Sequence, residues 1–396
     1  MELTVSKLKK ILFLMLCSFL TAFTCGIGVA SAEEKQDTGL AEEATAALIM
    51  EAETGQVLYN KNENEKLPPA SMTKIMTMLL VMEALEEDVI NLEDKVTTSE
   101  RAASMGGSQI FLEEGEQMTV EEMLKGIAIA SANDASVAMA EHLEGTEKNF
   151  IKKMNEKAKE LGLKHTHFQN TTGLPAEDHY TTAYDLAVMA RALLQYEKIL
   201  AYTSVYEDYL RKGTDKEFWL VNTNRLVKHY DGVDGLKTGY TKEAKYNVTT
   251  TAKKNGMRVI TVLMGAETPK ERNRQTTEML NYAFQNFDYH VLAKKGTEMK
   301  KIAIEKGKQK SVSASLARDA ALVLPKGKKA ENLTEKIDVP EKIKAPAEKD
   351  TKVGVIQFYD GDEKIAEQEL VINEEVESAS WFVLFKHTFA ALTGNG

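Results

Sequence analysis

Residues 67–85, LPPASMTKIMTMLLVMEAL, demand an interior. Met72, Ile75, Met76, Leu79, Leu80, Met82 and Leu85 form an apolar band that wraps much of one helix, so the helix is buried rather than laid on a surface. Lys74 stands inside that band, three residues after Ser71. Residues i and i+3 share a helix face, so the amine sits beside the hydroxyl. The ordinary readings are a lysine that snorkels to water and a serine that merely begins a helix. Ser-x-x-Lys also arises by chance, and Ser6 with Lys9 forms a second copy near the N-terminus. Burial gives the first copy another meaning. A desolvated lysine resists charging, its pKa falls, and it becomes a base toward a neighbouring hydroxyl. The start of the helix also offers backbone N–H groups to a developing oxyanion.

The N-terminus reads as an export signal over residues 1–32. Lys7, Lys9 and Lys10 precede an apolar stretch from Ile11 to Phe23, and Ala30-Ser31-Ala32 makes a small-residue cleavage site. A retained anchor is the alternative, but the apolar run is short for a spanning helix. Both cysteines, Cys17 and Cys25, lie in this leader, so the mature chain has no disulfide, thiol nucleophile or cysteine-ligated metal. The chain carries 50 Lys+Arg against 60 Asp+Glu, which argues against nucleic-acid binding. His165 and His167 are two apart, and no metal-helix spacing or phosphate-binding glycine loop appears, so no metal or cofactor is expected.

Along the chain, AALIMEAETGQVLYNKNENEK predicts two short strands around a turn. Several helices follow, with a break at Ser131-Ala132-Asn133. YNVTTTAKKNGMRVITVLMGA predicts two strands joined at Asn255-Gly256, a strong hairpin signal. KERNRQTTEMLNYAFQNF predicts a further helix. The expected fold is mixed α/β, an antiparallel sheet carrying helices over residues 33–288. Short strands with Gly, Pro and Asp-Gly turns then predict a small β-rich domain over 289–377. Residues 378–396 end as an amphipathic tail. Trp381, Phe382, Leu384, Phe385, Phe389 and Leu392 share one face of a helix too short to span a bilayer, which fits an anchor lying on a membrane surface. A helix docked on the β-rich domain is the alternative. Glu374, Glu375 and Glu377 make any membrane binding mainly hydrophobic.

Two more short motifs complete a set. Ser131-Ala132-Asn133 offers a hydroxyl and an amide, though it also reads as a polar break between helices. Lys237-Thr238-Gly239 precedes the hairpin and also suits an exposed strand edge. In this order, Ser-x-x-Lys, Ser-x-Asn and Lys-Thr-Gly resemble the penicillin-recognising serine acyltransferases. The resemblance is above all to the low-molecular-mass penicillin-binding proteins that are D-alanyl-D-alanine carboxypeptidases. It extends over PASMTKIMT, NTTGL, VNTNRL, GVDGLKTGYT and MGAETPKERN. Relatives often carry Gly where Ala132 stands, and alanine is small enough to expect little effect.

The resemblance implies a catalytic set of Ser71, Lys74 and Ser131. Ser71 attacks the carbonyl of the penultimate D-Ala of a peptidoglycan stem peptide, Lys74 takes its proton, and water hydrolyses the acyl-enzyme. Ser131 relays a proton toward the leaving amine. Asn133 holds the substrate amide. Lys237, Thr238 and Gly239 bind the peptide edge-on, with the terminal carboxylate on Lys237 and Thr238. The N–H groups of Ser71 and Tyr240 form the oxyanion hole, and Arg272 lies near the carboxylate, an arginine that otherwise reads as ordinary surface. β-Lactams are expected as inhibitors. A secreted class A β-lactamase shares the three motifs, but HFQNTTGLPAEDHYTT holds no Glu-x-x-Leu-Asn stretch. An inactive cell-wall binding protein is the third reading, against which the intact trio stands.

Overall fold

The structure is a computed structural model of the chain and describes residues 39–329 and 333–380. The expected export signal and the apolar face of the tail lie outside the described residues. Asn255-Gly256 forms the whole of a two-residue turn, with φ of 51° and 85°. Positive φ at both central residues is what a tight hairpin between right-twisted strands requires. The turn joins two strands of a five-stranded antiparallel sheet. Its members are β1 (Ala46–Glu51), β2 (Val57–Lys61), β3 (Val233–Thr241), β4 (Lys245–Lys254) and β5 (Met257–Ala266), in the order β2-β1-β5-β4-β3.

The central strands are buried on both faces. Ala46, Leu48, Met50, Ile260, Val262 and Met264 point into the helical core. Ala47, Ile49, Val259 and Leu263, also buried, alternate to the other face. On the helical side the buried helix is α1 (Lys74–Glu86), enclosed as its apolar band requires. Around it lie α2 (Val120–Ala130), α3 (Asn133–Glu144), α4 (Glu147–Glu160) and α5 (Ala183–Leu193). A last helix, α6 (Pro269–Asn286), packs on β4 and β5.

Helix α2 starts with a reciprocal cap, in which Thr119 and Glu122 each accept the other's backbone N–H. It stops at Ser131, which takes a left-handed conformation with φ 64°. The expected break between helices is therefore a sharp turn that restarts as α3 at Asn133.

The remaining described chain is β-rich, as expected. The strands are β6 (Phe287–Ala293), β7 (Glu298–Glu305), β8 (Ser311–Leu316), β9 (Ala320–Pro325), β10 (Leu333–Asp338), β11 (Lys342–Lys344), β12 (Lys352–Asp360) and β13 (Glu363–Ile372). Strands β6 and β9 pair with each other, and the other six form one sheet in the order β10-β12-β13-β8-β7-β11. Ile302, Leu316, Leu322, Ile356, Phe358 and Leu370 make a core of their own. Phe287 and Asp288 already pair with Pro325 and Leu324, so the β-rich region begins slightly before residue 289.

Candidate active site

Ser71 sits in a tight 3₁₀ turn, Ala70–Thr73, and α1 proper begins at Lys74. Two backbones press against this turn. A Cβ on Gly173 would lie 1.7 Å from Ala70 O, and one on Gly239 would lie 2.9 Å from Pro69 O and 3.1 Å from Ser71 N. Only glycine permits such approaches. The loop before α5 and strand β3 thus close on the serine from two sides.

Lys74 is fully buried. Its Nζ lies 3.0 Å from Ser71 Oγ, 2.6 Å from Asn133 Oδ1 and 2.8 Å from Thr172 O. Burial drives its pKa well below the usual lysine value, the nearby Lys237 lowers it further, and Asp134 pulls the other way. Asp134 spends its carboxylate on the backbone N–H groups of Ile110 and Leu112. Two of the three Lys74 neighbours are acceptors only, and the third is a hydroxyl. A neutral amine has two N–H donors and one lone pair, so it can give both protons to Asn133 and Thr172 and turn its lone pair to Ser71.

Asn133 is engaged at both ends, since its Nδ2 also donates to Gly106 O at 2.6 Å. Ser131 Oγ is buried and has no hydrogen-bond partner among the described residues. A buried, unpartnered hydroxyl costs about 1–3 kcal/mol, and a left-handed backbone adds to that. Both costs fall on one residue, which marks it as held for something other than stability.

Strand β3 supplies the other wall. Lys237 is almost fully buried and donates to Thr238 O at 2.8 Å. Burial, with the Arg272 guanidinium second, lowers its pKa to about 7. Thr238 Oγ1 donates to Thr223 Oγ1 at 2.8 Å. Arg272 is buried, not an ordinary surface arginine; its guanidinium donates to Asn273 Oδ1, and burial brings its pKa to about 10. Tyr240 is 55% exposed and stacks on Tyr246 at 4.3 Å.

Sequence reasoning assigned no role to Thr172 or Thr223. NTTGL supplies the Thr172 carbonyl that accepts from Lys74, and VNTNRL supplies the Thr223 hydroxyl that accepts from Thr238. Asn224 Nδ2 donates to Gly235 O at 3.0 Å, and Thr223 N donates to Ile129 O at 3.2 Å. This loop therefore ties the end of α2, beside Ser131, to strand β3, beside Lys237. Among the described residues no cluster of three or more His, Cys, Asp or Glu could hold a metal.

Residues 31–268 match the pattern of the D-alanyl-D-alanine carboxypeptidase family. The chain belongs to that family. Residues 287–378 match the C-terminal domain of penicillin-binding protein 5. The chain is 51% identical to D-alanyl-D-alanine carboxypeptidase DacF of Bacillus subtilis, over 98% of this chain and 99% of that one. It is 34% identical to D-alanyl-D-alanine carboxypeptidase DacC of Escherichia coli, over 86% of each. Among solved structures, penicillin binding protein 5 from Haemophilus influenzae superposes with a TM-score of 0.68 at 29% identity, covering 85% of this chain and 98% of that one. The carboxypeptidase is a serine hydrolase with the mixed α/β domain and following β-rich domain of the low-molecular-mass penicillin-binding proteins.

Proposed function

We propose that this carboxypeptidase works through an acyl-enzyme on Ser71, with Lys74 as general base. Lys74 Nζ beside Ser71 Oγ, with two acceptor-only neighbours, carries the reading. Ser71 Oγ attacks the carbonyl carbon of the penultimate D-Ala while its proton passes to Lys74. The N–H groups of Ser71 and Tyr240 hold the oxyanion. The C–N bond then breaks, and the leaving D-Ala takes a proton through Ser131, whose unpartnered hydroxyl suits a relay. Water hydrolyses the ester and returns the proton to Ser71. The products are a shortened stem peptide and free D-Ala.

Lys237, Thr238 and Arg272 fit the terminal carboxylate. An incoming anion beside Lys237 raises its pKa again, so substrate binding completes the charge that burial removed. Gly239 lets strand β3 lie close to Ser71 N, so a peptide laid along that edge reaches the nucleophile. Asn133, bound on both sides, would turn its amide toward substrate only by exchanging a protein partner.

A β-lactam would acylate Ser71 by the same route, and its tethered amine would then obstruct water. The class A β-lactamase reading lacks support: among the described residues, no carboxylate hydrogen-bonds to Ser71 or Lys74. Purified protein should release D-Ala from Nα,Nε-diacetyl-L-Lys-D-Ala-D-Ala, and Ser71→Ala should release none. A Ser71→Ala protein as active as wild type would end the reading.

We also propose export through residues 1–32, and a peripheral position on the outer face of the cytoplasmic membrane through the amphipathic tail. No helix among the described residues is long and apolar enough to cross a membrane. Ala379 N donates to Lys306 O at 2.8 Å, so a cut after Ser380 spares the described β-rich region. That cut should release active enzyme from membranes; a truncated protein still membrane-bound would place the anchor elsewhere.

A further inference from the structure

A strained residue precedes Ser71. Ala70 is buried and takes φ 47°, in the left-handed region where a residue with a Cβ stays only because its surroundings hold it. Its carbonyl oxygen is held from two sides. Gly173 packs on it so closely that a Cβ there would lie 1.7 Å away. Thr73 Oγ1 donates to the same oxygen at 2.9 Å. Thr73 is fully buried and meets a second partner, His179 Nε2, at 2.8 Å.

The direction of these bonds follows from their donors. Gln169 N lies 2.9 Å from His179 Nδ1. A backbone N–H can only donate, so Nδ1 carries no proton. The ring is buried, and burial, with His167 second, lowers its pKa to about 4. At neutral pH it is therefore an uncharged imidazole whose one proton is on Nε2. That N–H donates to Thr73 Oγ1, and the hydroxyl donates to Ala70 O. The chain runs one way, from Gln169 N through the imidazole and the hydroxyl to the carbonyl before the nucleophile.

The other end of the chain is the loop that serves Lys74. His167 and Tyr180 pair their backbones and close the base of loop 168–179. Gln169 and His179 stand just inside that base. Further along, Thr171 O accepts from Thr77 Oγ1 at 2.9 Å, and Thr172 O accepts from Lys74 Nζ at 2.8 Å. One imidazole thus joins the turn that carries Ser71 to the loop that orients the Lys74 amine.

We propose that His179 is a positioning residue for acylation, which through Thr73 fixes the Ser71 turn against the loop that holds Lys74. It acts through Thr73 and not on the reacting atoms. This role rests on the acyl-enzyme function proposed above. The residues that receive the carboxylate stand on strand β3 and α6, outside the chain of bonds, so loss of His179 acts on the acylation step and not on binding. A displacement of about 1 Å between nucleophile and base slows such a step about 10²-fold.

The test follows acylation of the full chain by benzylpenicillin, with the rate of adduct formation measured over a range of concentrations. His179→Asn keeps an acceptor near the Nδ1 position and loses the donor to Thr73. His179→Gln keeps an amide N–H near the Nε2 position. His179→Asn should lower the limiting rate about 10²-fold with little change in the half-saturating concentration, and His179→Gln should recover about tenfold of that loss. Thr73→Val should cost as much as His179→Asn, and the double variant no more than either alone, because each breaks the same chain. The rate is read on molecules that react, so unfolded protein lowers the amplitude and leaves the rate. An unchanged rate in His179→Asn, equal slowing by Asn and Gln, or additive losses in the double variant would overturn the positioning role while leaving the acyl-enzyme intact. Wild type that forms no adduct on Ser71 would overturn the acyl-enzyme reading and this role with it.

Discussion

Lys74 Nζ and Asn133 Oδ1 meet at 2.6 Å across 59 residues of sequence. An amide oxygen orients the amine without supplying a charge that would hold a proton on it. A carboxylate there would do the opposite, since a negative neighbour within hydrogen-bond distance favours the charged lysine. Asn133→Asp should therefore move the acid limb of kcat/KM upward by about one to three pH units and slow neutral-pH acylation about tenfold or more. A pH profile of D-Ala release reads this directly; an unmoved acid limb would remove Asn133 from the control of Lys74.

Lys237 titrates at the opposite limb. Its pKa of about 7 in the free enzyme means that it loses its proton as pH rises through neutrality. Charge is needed to receive a carboxylate, so kcat/KM should fall above about pH 7. The fall should appear less in kcat, because bound carboxylate restores the proton. Lys237→Arg keeps its charge, and its fork shape costs activity at neutral pH, but its alkaline limb should disappear. Parallel alkaline limbs in the two proteins would assign that limb to another group.

The same burial leaves a mark on stability. Burial lowers the Lys74 pKa in the folded protein well below the usual 10.5 that the unfolded chain keeps, so the folded amine gives up its proton at lower pH than the unfolded one. The unfolded chain then binds the extra proton, so stability rises with pH until 10.5 is approached. Each pH unit in that window is worth about 1.4 kcal/mol. Lys74→Met lacks this dependence. Urea unfolding at a series of pH values below 10.5 should show wild type gaining on the Met variant as pH rises, with that slope as the upper limit. Parallel pH curves would mean that Lys74 stays charged in the folded protein.

These sites differ in how openly the sequence displays them. Ser71 and Lys74 are three apart on one helical turn, and local spacing alone brings the two side chains together. The Asn255-Gly256 turn and the break at Ser131 are equally local, set by residues that tolerate positive φ or interrupt a helix. Thr172 and Thr223 were not legible because their contributions are a backbone carbonyl and a hydroxyl delivered across long loops. No periodicity marks such contacts. Arg272 could be a surface residue by sequence; its position on the first turn of α6, pressed on the sheet, buries it. Phe287 pairs with Pro325, a partner beyond the reach of local pattern, so no local signal shows where this strand begins. The parallel pairing of β7 with β11, Ala303 opposite Lys342, was hidden for the same reason.

Acylation by benzylpenicillin tests the pairing of Ser71 with a neutral Lys74 most directly. After incubation, intact-mass spectrometry should show one covalent adduct per chain, and peptide mapping should place it on the segment that contains Ser71. Ser71→Ala should take up none. Lys74→Arg should acylate slower by about 10²-fold or more, because a guanidinium cannot serve as base. An adduct on Ser131, full-rate acylation of the Lys74→Arg protein, or rapid penicillin turnover with no adduct would contradict this chemistry.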